Sequence, residues 1–169
     1  MREPVREGLR RARPKHYECD VEIFDFTGAK MDVFQEIGYW INQLQDDLKI
    51  YDTEEKKEIV KTCFYKIAEQ KALKYYILPE RKGIIAYCLC PDYRGELSLN
   101  ELFMYIKPEF RGSIKLFKEL VNHIEQAAKE NNCLSIRIGA NLKFKDSKIL
   151  NALKHFGYKT DTVVKYLGE

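Results

Sequence analysis

The sequence predicts an α/β fold: one mixed sheet with helices on both faces, in the order β-α-α-β-β-β-α-β-α-β. Three observations carry that expectation. The chain has 169 residues, 45% of them hydrophobic, which suits one domain with a sizeable core. Apolar residues recur at spacings of three and four in some segments and alternate or run continuously in others. Turn-forming residues fall between these segments.

Charge divides the chain before any element begins. Net charge is +3, yet residues 1–16 hold Arg2, Arg6, Arg10, Arg11, Arg13 and Lys15 against Glu3 and Glu7, a net +4 that leaves the remainder near −1. Residues 1–16 are therefore expected to be a basic, mobile arm, and 17–169 a single domain. Such an arm either stays solvated or contacts the phosphates of nucleic acid through residues 2–15. The body itself lacks the charge to attract nucleic acid.

The elements follow in order. "ECDVEIFDF" (18–26) alternates Cys19, Val21 and Ile23 with charged neighbours and reads as a half-buried strand, ended by Thr27-Gly28. Met31, Phe34, Ile37, Ile41, Leu44 and Leu48 then mark one face of a helix. Asp52 with Glu55 three residues on resembles a capping box, opening a second helix with Ile59, Val60, Cys63, Phe64 and Ile67. "KYYIL" (74–78) and "GIIAYCLC" (83–90) read as strands of a hairpin joined by "PERK". "PDYRGE" (91–96) is a turn, and "LSLNELFMYI" (97–106) the longest strand. A helix over 113–130 buries Ile114, Phe117, Leu120, Val121, Ile124, Ala127 and Ala128. A strand at 134–139, a short helix at 147–156 and a strand at 160–167 complete the order.

Several classes are disfavoured. The five cysteines (19, 63, 88, 90, 133) are an odd number without zinc-type pairing; Cys88 and Cys90 share a strand face and read as small core hydrophobes in a reduced interior. The longest apolar run, residues 83–90, is far short of the roughly 20 residues that span a bilayer. The first residues are charged and lack a signal-peptide core, so the expected location is cytoplasmic, with no membrane partner. His16, His123 and His155 lack metal-ligand spacing, and no metal is expected. Neither a P-loop nor a Ser-His-Asp arrangement is visible.

The stretch "YIKPEFRGSIKLFKEL" (105–120) carries most of the chemistry. Alternation would put Leu97, Leu99, Glu101, Phe103 and Tyr105 on one face, leaving a mid-strand carboxylate among apolar neighbours. Glu101 then reads either as a general base or as a rim residue paired with a lysine. Pro108 cannot donate to a ladder and marks where the strand loses a neighbour. Gly112 permits positive φ and close backbone approach, and Ser113 is a good N-cap. With Arg111 and Lys115 beside it, the helix start reads either as an anion site suited to phosphates or as a capped helix with exposed basic residues.

"ELFMYIKPEFRG" followed by a long helix resembles motif A of the GNAT superfamily, the acyl-CoA-dependent N-acyltransferases. "SIRIGA…ILNALKHFGY" resembles that family's later strand, short helix and closing segment, so the resemblance covers roughly 18–167. It implies a GNAT-like sheet whose strands at 97–106 and 134–139 run parallel and splay apart. Acetyl-CoA would enter that gap, its pantetheine bonding to the backbone around Met104, Tyr105 and Ile106. Its phosphates would rest on Arg111, Gly112, Ser113, Ile114 and Lys115. Asn141 is a further candidate contact, and Lys143, Lys145 and Lys148 could reach the 3′-phosphate or simply be exposed.

The implied activity is transfer of an acetyl group from acetyl-CoA to an amine, carried by a small molecule or a protein. An amine of pKa near 10.4 is only about one part in 10³ neutral at pH 7, a deficit of the size a general base offsets. Glu101 is the candidate base. The chain departs from the family pattern Arg/Gln-x-x-Gly-x-Gly/Ala, placing Ile114 and Leu116 at the two small positions. The position of the usual proton-donating tyrosine holds Leu153, with Ser147, His155 and Tyr158 nearby. Tyr39 and Trp40 either line an acceptor site or pack in the core. A non-catalytic module of the same fold, binding nucleic acid or protein through the arm, is the alternative reading.

Overall fold

The computed structural model describes residues 32–139 and 147–159. The arm at 1–16, the strand at 18–26, Met31, Asn141, Lys143, Lys145 and the strand at 160–167 lie outside the described residues. Two helices lead. Helix α1 (Val33–Leu48) is capped by Asp32, whose carboxylate accepts the Phe34 amide at 2.7 Å. It ends at Lys49, in the left-handed conformation. Helix α2 (Glu54–Glu69) is capped by Thr53 rather than by an Asp52 box: the Thr53 hydroxyl accepts from the Lys56 amide at 3.2 Å, and Asp52 instead pairs with the Lys56 ammonium.

The sheet has the order β1-β2-β3-β4, formed by β1 (Leu73–Ile77), β2 (Gly83–Pro91), β3 (Leu97–Ile106) and β4 (Ser135–Arg137). The first three strands are antiparallel neighbours, and β4 runs parallel to β3. Helix α3 (Ile114–Glu130) connects β3 to β4, and α4 (Ser147–His155) follows. Helices α1 and α2 cover one face, through Ile37, Trp40, Ile41 and Leu44 against Leu73, Tyr75, Ile84, Ala86 and Tyr105. Helix α3 covers the other, through Leu120, Ile124, Ala127 and Ala128 against Leu78, Ile85, Tyr87 and Leu99. The expected helices on both faces are present.

A β-bulge changes the expected face pattern of β3. Ala86 pairs with Phe103 and Tyr87 with Glu101, so Leu102 is an extra residue without a partner position on β2. The extra residue reverses the alternation. Leu99 and Glu101 lie on the α3 side, whereas Phe103 and Tyr105 lie on the α1–α2 side. The single face drawn through Leu97, Leu99, Glu101, Phe103 and Tyr105 is thus broken at Leu102. Three smaller expectations also change. Leu48, Ile59 and Ile114 are exposed rather than core. Cys63 is exposed on α2. Cys90 is exposed too, its Sγ accepting from the Asn100 amide at 3.1 Å, while Cys88 is half-buried and its thiol is pushed up by burial.

A buried ion pair fixes α1 on the sheet. The Glu36 carboxylate, fully enclosed, accepts from Arg81 at 2.5 and 3.1 Å and from the Trp40 indole at 2.7 Å. Arg81 stands in the β1–β2 connection with its guanidinium 4.5 Å from the Tyr39 ring. Trp40 is enclosed and Tyr39 packs against the same cluster, which assigns the pair to the core.

Two predictions follow from this packing. Arg81→Ala leaves a buried carboxylate without its counter-ion and is expected to cost about 3–5 kcal/mol in denaturant unfolding, whereas replacing Glu36 and Arg81 together by apolar residues recovers most of that loss. On the other face, His123 stacks on Tyr76 at 4.3 Å and meets the Tyr87 hydroxyl at 3.2 Å. Burial holds its imidazole below the ordinary value, against a smaller opposite pull from Glu130. Its contribution to stability is therefore complete above about pH 6.5 and is lost as pH falls through the lower folded value. Melting curves should show this acid loss, and His123→Gln should flatten it.

Candidate functional site

The parting of β3 from β4 creates the site. Their ladder consists of Ser98, Leu99 and Asn100 against Ser135, Ile136 and Arg137. Beyond Asn100 no described strand pairs with that edge of β3, although the Ile106 carbonyl on it accepts from Arg111 Nε at 3.0 Å. The other edge stays paired with β2 past the end of the strand, since the Lys107 amide donates to the Lys82 carbonyl at 3.0 Å. The break therefore lies on the β4 side and begins at Asn100, not at Pro108. Antiparallel pairing alternates inward and outward backbone groups, so with Lys107 bonded to β2, Met104 and Ile106 turn their N–H and C=O groups toward the gap.

Glu101 stands where the ladder ends. Its carboxylate reaches across and accepts from the Gly139 amide at 3.0 Å. It tethers the segment after β4 at the mouth of the gap.

The connection from β3 to α3 is a short helical turn, Pro108–Phe110, followed by Arg111, Gly112 and Ser113. Gly112 has φ +84°, and a Cβ there would meet no atom within 4 Å, so the glycine serves the backbone conformation and leaves open space. Ser113 is the N-cap, its hydroxyl accepting from the Leu116 amide at 3.4 Å. A helix start leaves its first amides without intrahelical acceptors, here those of Ile114 and Lys115. With the helix dipole they form an anion-binding end.

These elements enclose one cavity of about 680 Å³. Its wall brings together eight of the residues named from sequence: Met104, Tyr105, Ile106, Arg111, Gly112, Ser113, Ile114 and Lys148. Glu101 and Lys115 are not part of the wall. Ile114, one of the two bulky residues at the usual small positions, is 64% exposed and stands at the wall without closing the cavity. Leu116 packs toward the sheet instead. The sequence reading did not place Leu48, Phe117, Ile149 and Ala152 on this wall, whereas Lys148 was already a phosphate candidate. Leu48, Ile149 and Ala152 sit at ordinary apolar positions of α1 and α4, and only the packing of those helices aims them here.

Electrostatics at the wall centre on Arg111. Its guanidinium pairs with Asp47 of α1, donates from Nε to the Ile106 carbonyl at 3.0 Å and lies 5.5 Å from the Tyr105 ring. Burial, then the Asp47 carboxylate, push the Tyr105 phenol up to about 12, so it stays protonated at neutral pH. On α4, Leu153 is buried against Phe117 and Val121 and offers no proton. Tyr158 packs in the same cluster, its phenol raised by burial and by Glu125 of α3. His155 is exposed.

The residues present fit a ligand that is extended, partly apolar and anionic at one end. The cavity offers unpaired strand backbone along one side, apolar side chains from α1, α3 and α4, and helix-start amides with Lys148 at the other. Gly112→Ala should cost roughly 1–2 kcal/mol in unfolding experiments, because the left-handed backbone penalises a Cβ, while Gly112→Asn should cost less.

No family profile matches the chain, and no curated protein matches it by sequence. Solved structures do. A protein named an acetyl transferase from Pyrococcus furiosus superposes with TM-score 0.63 at 16% identity, over 81% of this chain and 94% of its own. A protein named a predicted acetyltransferase from Clostridium acetobutylicum, solved with acetyl-CoA, gives TM-score 0.62 at 16% identity, over 81% and 92%. A transcriptional regulator from Bacillus halodurans gives TM-score 0.63 at 17% identity, over 83% and 97%. Likeness at this identity speaks to architecture, and function has to be argued from the site. The chain has the fold of the GNAT acetyltransferases.

Proposed function

We propose that the protein is an acetyl-CoA-dependent N-acetyltransferase. One observation carries the reading. The gap between β3 and β4 opens into a cavity of about 680 Å³ that ends on the free amides of α3. A pantetheine chain needs an edge of unpaired strand, and the N–H and C=O of Met104 with the N–H of Ile106 supply one, the Ile106 carbonyl being held by Arg111. A diphosphate needs amide donors and nearby cations, and Ile114, Lys115 and Lys148 supply those.

Bound there, acetyl-CoA supplies an acyl thioester. In this reading Glu101 takes the proton of the acceptor amine, directly or through a water, so that nitrogen can attack the carbonyl. Its place at the bulge, where the strands part, supports that role. Backbone amides of the unpaired β3 edge polarise the carbonyl. With Leu153 at the usual tyrosine position, the leaving thiolate departs without a protein proton donor, which a thiol pKa of about 8.5 permits. The open cavity does not favour the alternative of a non-catalytic module, whose gap would be filled by Ile114 and Leu116.

Titration calorimetry with acetyl-CoA tests the cofactor. Ile114→Glu sets a carboxylate at the phosphate end while adding a favourable charge to the first turn of α3. Its melting temperature should hold or rise while affinity falls at least tenfold. Glu101→Gln keeps an acceptor for the Gly139 amide and should bind acetyl-CoA normally, yet lose on the order of 10²–10⁴-fold in turnover with a responsive amine. No binding at millimolar acetyl-CoA would refute the reading.

A further inference from the structure

Among the described residues, Asp47 is an acid that contacts two residues of the cavity wall, Arg111 and the Tyr105 hydroxyl, and the acetyl-transfer reading gives it no task. It lies in the last turn of α1 and faces the guanidinium of Arg111. Arg111 Nη1 reaches Asp47 Oδ1 at 3.3 Å, and Nη2 pairs with Oδ2. A guanidinium grips a carboxylate or a phosphate along either of two edges, the Nη1–Nη2 end or the Nε–Nη2 side. Asp47 holds the first edge. The Ile106 carbonyl, 3.0 Å from Nε, occupies half of the second. The Tyr105 ring lies 5.5 Å from the same group. Arg111 therefore presents no complete fork to an incoming phosphate, and its charge is already balanced.

This contact joins elements far apart in sequence. Asp47 ends α1, Arg111 precedes α3, and Ile106 ends β3 at the unpaired edge. Leu48, next to Asp47, stands on the cavity wall. The contact is also open to competition. The side chains are 40% and 18% exposed, and ion pairs in such settings are weak enough for a multiply charged anion to displace.

Resting on the cofactor reading above, we propose that Asp47 sets the affinity of the phosphate cradle by holding Arg111 in a contact that a cofactor diphosphate must displace. The diphosphate is first met by the Ile114 and Lys115 amides and by Lys148. Arg111 joins only when it leaves Asp47. Cofactor binding and the contact of α1 with the 106–113 segment are then competing states, each weakening the other by the same factor.

The test is calorimetry of the full chain with acetyl-CoA, for the unmodified protein, Asp47→Asn, Arg111→Ala and the double variant. Asp47→Ser serves as a second removal of the charge, and melting curves identify folded variants. Asp47→Asn and Asp47→Ser are expected to bind acetyl-CoA about five- to tenfold more tightly, at the lower end of typical coupling strengths. The gain should vanish when Arg111→Ala is added. Three results would overturn the inference. Unchanged or weaker binding by both Asp47 variants, where the unmodified protein binds, means that Asp47 orients Arg111 rather than competing for it. A gain that survives Arg111→Ala means that Asp47 acts by direct repulsion. Absence of binding by every variant removes the cofactor reading and this inference with it, an outcome distinct from the first two.

Discussion

The extra residue at Leu102 is the constraint on which the site depends. A regular strand would keep Phe103 and Tyr105 on the same face as Leu99 and would continue beside β4. The bulge instead turns Tyr105 toward α1, beneath Trp40 at 6.0 Å, and coincides with the end of the β3–β4 ladder at Asn100. Leaving strand backbone unpaired is costly inside a protein unless water or a ligand satisfies it. Here the unpaired edge faces a cavity rather than the core.

The two faces of the sheet make that opening sustainable. On one side Glu36 and Arg81 hold α1 against the β1–β2 connection, so the end of α1 arrives beside the β3–α3 turn. On the other, α3 is anchored along its length by Leu120, Val121, Ile124 and Ala128, and Tyr76 donates to Glu119 at 2.9 Å. A helix fixed this firmly presents its first amides in a set direction. The anion-binding end is thus a product of core packing far from the cavity, and Ser113 with Gly112 only completes it.

Much of this was legible in the sequence because it rests on local signals. The period of α1 and α3, the turn after Pro91 and the Gly112-Ser113 helix start each follow from side-chain spacing or backbone chemistry, and the structure reproduces them except at Leu48 and Ile114, which are exposed at the cavity. The long strand at 97–106 was equally visible. What escaped was non-local. The bulge is not written in "LSLNELFMYI", because the segment reads as one continuous strand and only the register against β2 exposes the extra residue. The Thr53 cap displaced the Asp52 box because capping is settled by which oxygen meets the third amide, and both candidates looked alike in sequence. Glu36 read as a polar helix position, and its burial depends on an arginine 45 residues away. Asp47 carried no signal at all, since its meaning comes from Arg111 across the fold.

The most direct test of this account is a two-dimensional amide NMR titration of the protein with acetyl-CoA. The account predicts saturable shifts concentrated at Met104, Ile106 and Ser113 through Lys115, with little change along β1 or at the 92–96 turn. Shifts confined elsewhere, or none at millimolar cofactor, would contradict the claim that the parted strands and the start of α3 form one acyl-CoA site.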